Sequence, residues 1–225
     1  MINNKSNNWN IFEKFGLSVV ILFILAQGVF SHDSFFAVIS AICGITYTFL
    51  AGKGLPVCYL FGVIGSSFYS VLSFQNVLWG NLLLYACYYV PMQILGYYKW
   101  NKNLKDGQND IIKIFLPKRE LLVLILLLLF LSFGVYHILL CYKDAHPILD
   151  SITTVFSLGG MYLTVRRAIE QWIFWMGVNA LSLIMWVDVA MNGVKVYSTI
   201  IMWAVYLVLA VYFYFVWKKE LILKS

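Results

Sequence analysis

The stretch "DSITTVFSLGGMYLTVRRAIEQWIFWMGVN", Asp150 to Asn179, decides the fold. Two apolar runs flank a pair of cations, Arg166 and Arg167. That is the pattern of a helix, a turn at the membrane surface and a second helix. The second run holds two tryptophans three apart, Trp172 and Trp175, and Asn179 four residues later. Positions i, i+3 and i+7 of a helix share a face. These residues therefore form a stripe, which Ser182 and Trp186 extend. Each indole and the carboxamide carries a polar group that needs a partner in hydrocarbon, so the stripe predicts a ligand-facing surface.

The rest of the chain agrees with a membrane setting. Of its 225 residues, 62% are hydrophobic and 12% charged, with a mean hydropathy of +0.82. A soluble surface needs about twice that charge. A spanning helix takes about 20 apolar residues, and eight runs are candidates: 13–30, 35–51, 55–74, 77–98, 120–141, 149–165, 171–190 and 196–217. With the N-terminus on one side, fourteen cations fall on that side, among them Lys53, Lys102, Arg119, Arg166 and Lys219. Only Lys143 and Lys195 fall on the other. Cytoplasmic loops carry such an excess, so both termini are predicted to be cytoplasmic. The net charge of +6 is thus explained by topology, and no nucleic-acid partner is expected. The polar start "MINNKSNNWN" lacks the features of a cleaved signal. Cys43, Cys58, Cys87 and Cys141 lie in apolar runs without CxxC spacing, so no metal site, disulfide or cofactor is expected.

A shift of 117 residues aligns "DSFFAVIS" from Asp33 with "DSITTVFS" from Asp150, and "GYYKWNK" with "FYFVWKK". Two like-oriented three-helix repeats follow. The predicted architecture is an all-α membrane protein with parallel 3+1+3 spans and one additional N-terminal helix. Its divisions are 1–32, the extra helix; 33–102, the first repeat; 103–119, a cytoplasmic loop; 120–146, a linker helix; 147–219, the second repeat; and 220–225, a tail. Parallel repeats place substrate near the midplane. The same shift sets Leu55, Cys58, Gly62, Gly65 and Tyr69 opposite the tryptophan stripe.

A second polar cluster lies in "YYVPMQILGYYKW". Tyr85, Tyr89 and Gln93 share a helix face, and Pro91 loosens the turn at the Cys87 carbonyl. No Asp, Glu, Lys or Arg falls in the middle of any span. Such groups mark ion coupling, so a facilitator of an uncharged or delocalised-cation substrate is expected. An intramembrane serine enzyme would need Ser66 or Ser67 to meet a histidine, yet His32, His137 and His146 lie in or near outer loops. No catalytic residue and no enzyme activity are therefore expected. A subunit dependent on a motor partner is the other alternative.

The stretch from Asp150 resembles the PnuC family of bacterial vitamin transporters. Its WxxWxxxN motif matches Trp172, Trp175 and Asn179, after an Asp-Ser, basic-pair and "EQW" lead-in. "GYYKW" resembles the family's Gly-Trp-Tyr-x-Trp, with Tyr97 for the usual tryptophan. Tyr85 and Ala86 stand where members often carry a glutamine. The resemblance implies facilitated diffusion of nicotinamide riboside through a SWEET-like fold in the bacterial inner membrane. Thiamine and riboflavin are the alternatives. It further implies trapping by a cytoplasmic riboside kinase, a homotrimer as one assembly to expect, and a site between the repeats. The substrate-binding set is then Trp172, Trp175, Asn179, Gln93, Tyr89, Tyr85, Trp186 and Tyr69.

Overall fold

In hydrocarbon each backbone N–H and C=O must bond within its own segment, so the apolar runs become helices. The computed structural model describes residues 11–31, 34–75, 82–105, 109–142, 146–192 and 197–223. Helical chain falls within each of the eight expected runs, although residues 77–81 of the fourth and residue 196 of the last lie outside the described residues. α1 is Ile11–Ser31, α2 Phe35–Gly52 and α3 Cys58–Gln75. α4 opens as a π-helix, Leu83–Tyr89, and continues as an α-helix, Val90–Asn101. α5 is Lys118–Cys141, α6 Pro147–Val165, α7 Glu170–Met191 and α8 Tyr197–Ile222. Among the described residues, five helices are long and apolar enough to cross a membrane: α1, α2, α5, α6 and α8. α3 adds a shorter apolar stretch, Cys58–Val71.

Exposure separates this chain from a soluble bundle. α5 buries only Leu128 and Ser132, while Leu126, Leu127, Phe130 and Phe133 stand exposed along it. So continuous an apolar surface fits lipid, not water. Hydroxyls inside the helices bond back to carbonyls of the preceding turn, as Thr46 does to Ile42 and Ser157 to Thr153. Their polarity is thus satisfied within the segment.

The chain divides into two units, Met1–Ile112 and Lys113–Ser225. In the first, α1 packs on α2, α2 on α3, and α3 on both parts of α4. In the second, α5 packs on α6, α6 on α7 and α7 on α8. The second core gathers Leu116, Leu128, Val155, Leu163, Ala168 and Phe174.

The turn after α2 and the turn after α6 are built alike. Gly54 and Arg167 both adopt left-handed backbone, at φ 74° and 63°. The next residue in each case, Leu55 or Ala168, donates its N–H to the carbonyl five back, Leu50 or Leu163, at 3.0 Å. This is a Schellman closure of a helix end. The offset here is 113 residues, which corrects the uniform shift of 117 read from the sequence. The pattern continues into α3 and α7: Tyr59 N–H donates to Pro56 as Trp172 N–H does to Ile169. The counterparts of Trp172, Trp175, Asn179 and Ser182 are therefore Tyr59, Gly62, Ser66 and Tyr69. For α4 and α8 the shift of 117 holds, since Trp100 meets Tyr59 edge-on at 5.0 Å as Trp217 meets Trp172 at 5.6 Å.

Part of the expected cytoplasmic loop 103–119 is packed. Ile111 is buried and its N–H bonds to the Gly54 carbonyl, within the first unit. In the second unit, Ile114 pairs with both Arg167 and Ile169 through the backbone, and Leu116 N–H reaches the Glu170 carboxylate at 3.1 Å. Lys113 is buried, pairs with Glu220 and lies 5.0 Å over the Trp217 ring. At the neighbouring turn, burial and then the adjacent Arg166 charge lower the pKa of Arg167 from its ordinary value. Asp33, Lys143 and Lys195 lie outside the described residues.

Candidate functional site

In the first unit the candidate site residues come from α3 and α4. Pro91 has no N–H to give the Cys87 carbonyl, and its ring crowds that turn. The helix responds by widening into the π-helix Leu83–Tyr89, where the Val90 N–H bonds to the Tyr85 carbonyl. The sequence suggested a loosened turn; the structure makes it a whole π segment, a form frequent at functional sites. Tyr85 meets Tyr89 at 4.9 Å, edge to face, and Tyr69 of α3 stacks on Tyr85 at 4.3 Å. Gln93 lies on the same α4 stripe, 3% exposed. Its Nε2 donates to the Ser66 hydroxyl at 3.0 Å, and its Oε1 is buried without a partner among the described residues. Gly62 is what lets the amide in. A Cβ there would come within 3.0 Å of the Gln93 amide and 2.9 Å of the Tyr47 ring.

The second unit carries the tryptophan stripe on α7. Trp172 is enclosed, tilted against Phe213 at 5.5 Å and edge-on to Trp217. Its indole N–H is buried and unpaired among the described residues. Trp172 thus joins α7 to α8. Trp175, a turn further on, is only partly buried and donates its indole N–H to the Thr164 hydroxyl at 3.2 Å. Its ring lies against Gly160, where a Cβ would come within 3.0 Å. Asn179 and Ser182 are buried on the same face. Trp186 is in α7, but its side chain lies outside the described residues.

The two units fill matching positions from opposite helices. In the first, Tyr47 of α2 stands over Gly62 of α3; in the second, Trp175 of α7 stands over Gly160 of α6. The amides alternate likewise. Gln93 of α4 faces a serine of α3, whereas the second unit has Asn179 on α7 and the small, buried Ala210 on α8. The sequence reading missed Tyr47, Gly160 and Thr164. The signal for the last two was present: a glycine and a threonine four apart, on the helix preceding the tryptophans.

The described helices confine every Asp, Glu, Lys and Arg to about a turn from a helix end. Among the described residues, no group of His, Cys, Asp and Glu could hold a metal ion. Membrane-length helices carrying buried amides and aromatic rings, with charge kept to their ends, have the build of a polytopic membrane transporter.

Comparison with known proteins gives the family. The profile described as "Nicotinamide mononucleotide transporter" matches residues 34–219. A protein of Neisseria mucosa named nicotinamide riboside transporter PnuC is 31% identical, over 94% of this chain and 82% of its own length. One of the same name from Haemophilus influenzae is 27% identical, over 95% and 92%. A solved structure titled "Crystal structure of the Vitamin B3 transporter PnuC" superposes with a TM-score of 0.80 at 29% identity, covering 94% of this chain and 92% of that one. The chain belongs to the PnuC family of nicotinamide riboside transporters.

Proposed function

We propose that this chain carries nicotinamide riboside across the bacterial inner membrane by facilitated diffusion, with phosphorylation by a cytoplasmic riboside kinase trapping the product. The observation that carries this reading is the placement of polarity: amides and aromatic rings are buried within the helices, while full charges stay near their ends. Titratable or charged groups within the span are the usual mark of ion coupling. A riboside needs hydrogen bonds for its hydroxyls and a flat surface for its ring. The same placement favours the riboside over the mononucleotide, whose phosphate would need a cationic partner. Relatives named for nicotinamide riboside support the substrate.

In this reading Trp175, Asn179, Gln93, Tyr85, Tyr89, Tyr69 and Trp186 touch the substrate, while Trp172, expected in the same set, is enclosed by Phe213 and Trp217 and holds α7 in place for them. The cation asymmetry supports a cytoplasmic side for both termini. The repeat is read as a SWEET-like 3+1+3 arrangement with α1 as the added helix, and a homotrimer is the proposed assembly. Purified protein in sealed vesicles tests the transport reading. Labelled nicotinamide riboside should equilibrate across the membrane without ATP or an ion gradient. Uptake that requires either, or no flux at all, would refute it.

A further inference from the structure

We infer that Thr164 and Gly160 are positioning residues that turn Trp175 so that its ring face, and not its N–H, meets the cationic ring of the substrate. The inference rests on the reading of the chain as a nicotinamide riboside carrier. It begins with one hydroxyl. Thr164 Oγ1 donates to the Gly160 carbonyl at 2.8 Å and accepts the Trp175 indole N–H at 3.2 Å. A threonine hydroxyl has one proton and two lone pairs. With the proton committed to the Gly160 carbonyl, a lone pair remains for the indole. The N–H of Trp175 is therefore spent inside its own unit.

Gly160 fixes the same ring sterically. A Cβ at that position would stand 3.0 Å from Trp175 Cε2 and 3.1 Å from Cζ2, so the indole lies flush on the α6 backbone. Thr164 is 2% exposed and cannot serve a ligand directly. Trp175 itself is only half-buried. What a locked, partly exposed indole can offer is its π face, the strongest attractor of cations among the aromatic side chains. The first unit lacks this device, because Gly62 stands at the position of Trp175 and Tyr47 at that of Gly160.

The pyridinium ring of nicotinamide riboside is cationic, whereas its 1,4-dihydro form has nearly the same shape and polar groups and is neutral. The ratio of their affinities therefore reads the aromatic faces that meet the ring, and its change in the Thr164 and Gly160 variants reads the share of Trp175. Binding of each form to purified protein is measured by calorimetry. Wild type should prefer the cationic form by at least about fivefold. Thr164→Val, which keeps the shape and removes both hydrogen bonds, should cut that preference to less than about half of its wild-type value. Thr164→Ser should retain it. Gly160→Ala, which lifts the ring off α6, should repeat the valine result and serves if Thr164→Val does not fold. An unchanged ratio in the folded Thr164→Val or Gly160→Ala variant overturns the positioning role. Equal binding of both forms by wild type overturns it too, with the carrier reading intact. Binding of neither form removes the carrier reading itself.

Discussion

Gln93 donates its Nε2 to the Ser66 hydroxyl at 3.0 Å while its own buried Oε1 has no partner among the described residues. A buried acceptor left unpaired costs about 1–3 kcal/mol. Such a cost is tolerated where a ligand donor can remove it. Gln93→Leu deletes the orphaned acceptor and should leave the melting temperature in detergent within about 4 °C of wild type, or raise it. Affinity for nicotinamide riboside should fall by about 1 kcal/mol or more, near fivefold. Unchanged affinity in a folded Gln93→Leu protein removes Gln93 from the site.

The two tryptophans of the motif should separate by assay. Trp172 fills the space between Phe213 and Trp217, so Trp172→Ala leaves a large cavity and should cost about 3–5 kcal/mol of stability. Trp175 is partly exposed, and Trp175→Ala should instead weaken substrate binding by at least about 1 kcal/mol, with a smaller loss of stability. Asn179→Ala should behave as Trp175→Ala does, through lost hydrogen bonds. Thermal unfolding beside a binding titration checks all three. A Trp175→Ala protein with native affinity argues that the ring only packs.

The helices were legible because the bilayer forces apolar runs into one backbone form, and the stripe of Trp172, Trp175 and Asn179 was legible because helical spacing is rigid. Three things were not. The offset between the halves drifts from 113 at the turns to 117 at α4 and α8. A single shift therefore paired Trp175 with Cys58 when its counterpart is Gly62. The roles of Thr164 and Gly160 depend on which neighbouring helix a side chain meets, and a one-dimensional pattern does not carry that. The packing of Ile111 and Lys113 was hidden because "IIKIFLPK" follows a polar run and reads as linker. Its order comes from backbone bonds to Gly54 and Arg167, far off in sequence.

Gly96 is a close-approach position between α4 and α3. It is buried on α4, and a Cβ there would come within 2.3 Å of the Tyr59 ring. That ring is boxed in by Trp100 and Tyr47, so it has little room to retreat. Gly96→Ala should destabilise by about 1–3 kcal/mol, the cost of overpacking. Gly134, with open space around it on α5, supplies the control, since Gly134→Ala should be neutral or stabilising. Equal melting temperatures for the two variants would contradict the packing of α3 on α4.

Lys113 is the residue of the 103–119 loop with the most to lose. Its ammonium pairs with Glu220 of α8 and sits over Trp217, and its side chain is 4% exposed while that of Glu220 is 22%. Removing one member of a buried pair strands the other, at about 3–5 kcal/mol when both are fully buried. The partial exposure of Glu220 lowers that, so Lys113→Met should cost about 1–3 kcal/mol. Methionine keeps most of the stem over the indole, which makes the loss chiefly electrostatic. Lys113→Met combined with Glu220→Gln should therefore recover part of it. The double-mutant cycle should return a coupling energy of about 1 kcal/mol or more, weakly sensitive to salt because the ammonium is screened from solvent. Additive losses in that cycle would mean the segment is held by its backbone bonds alone.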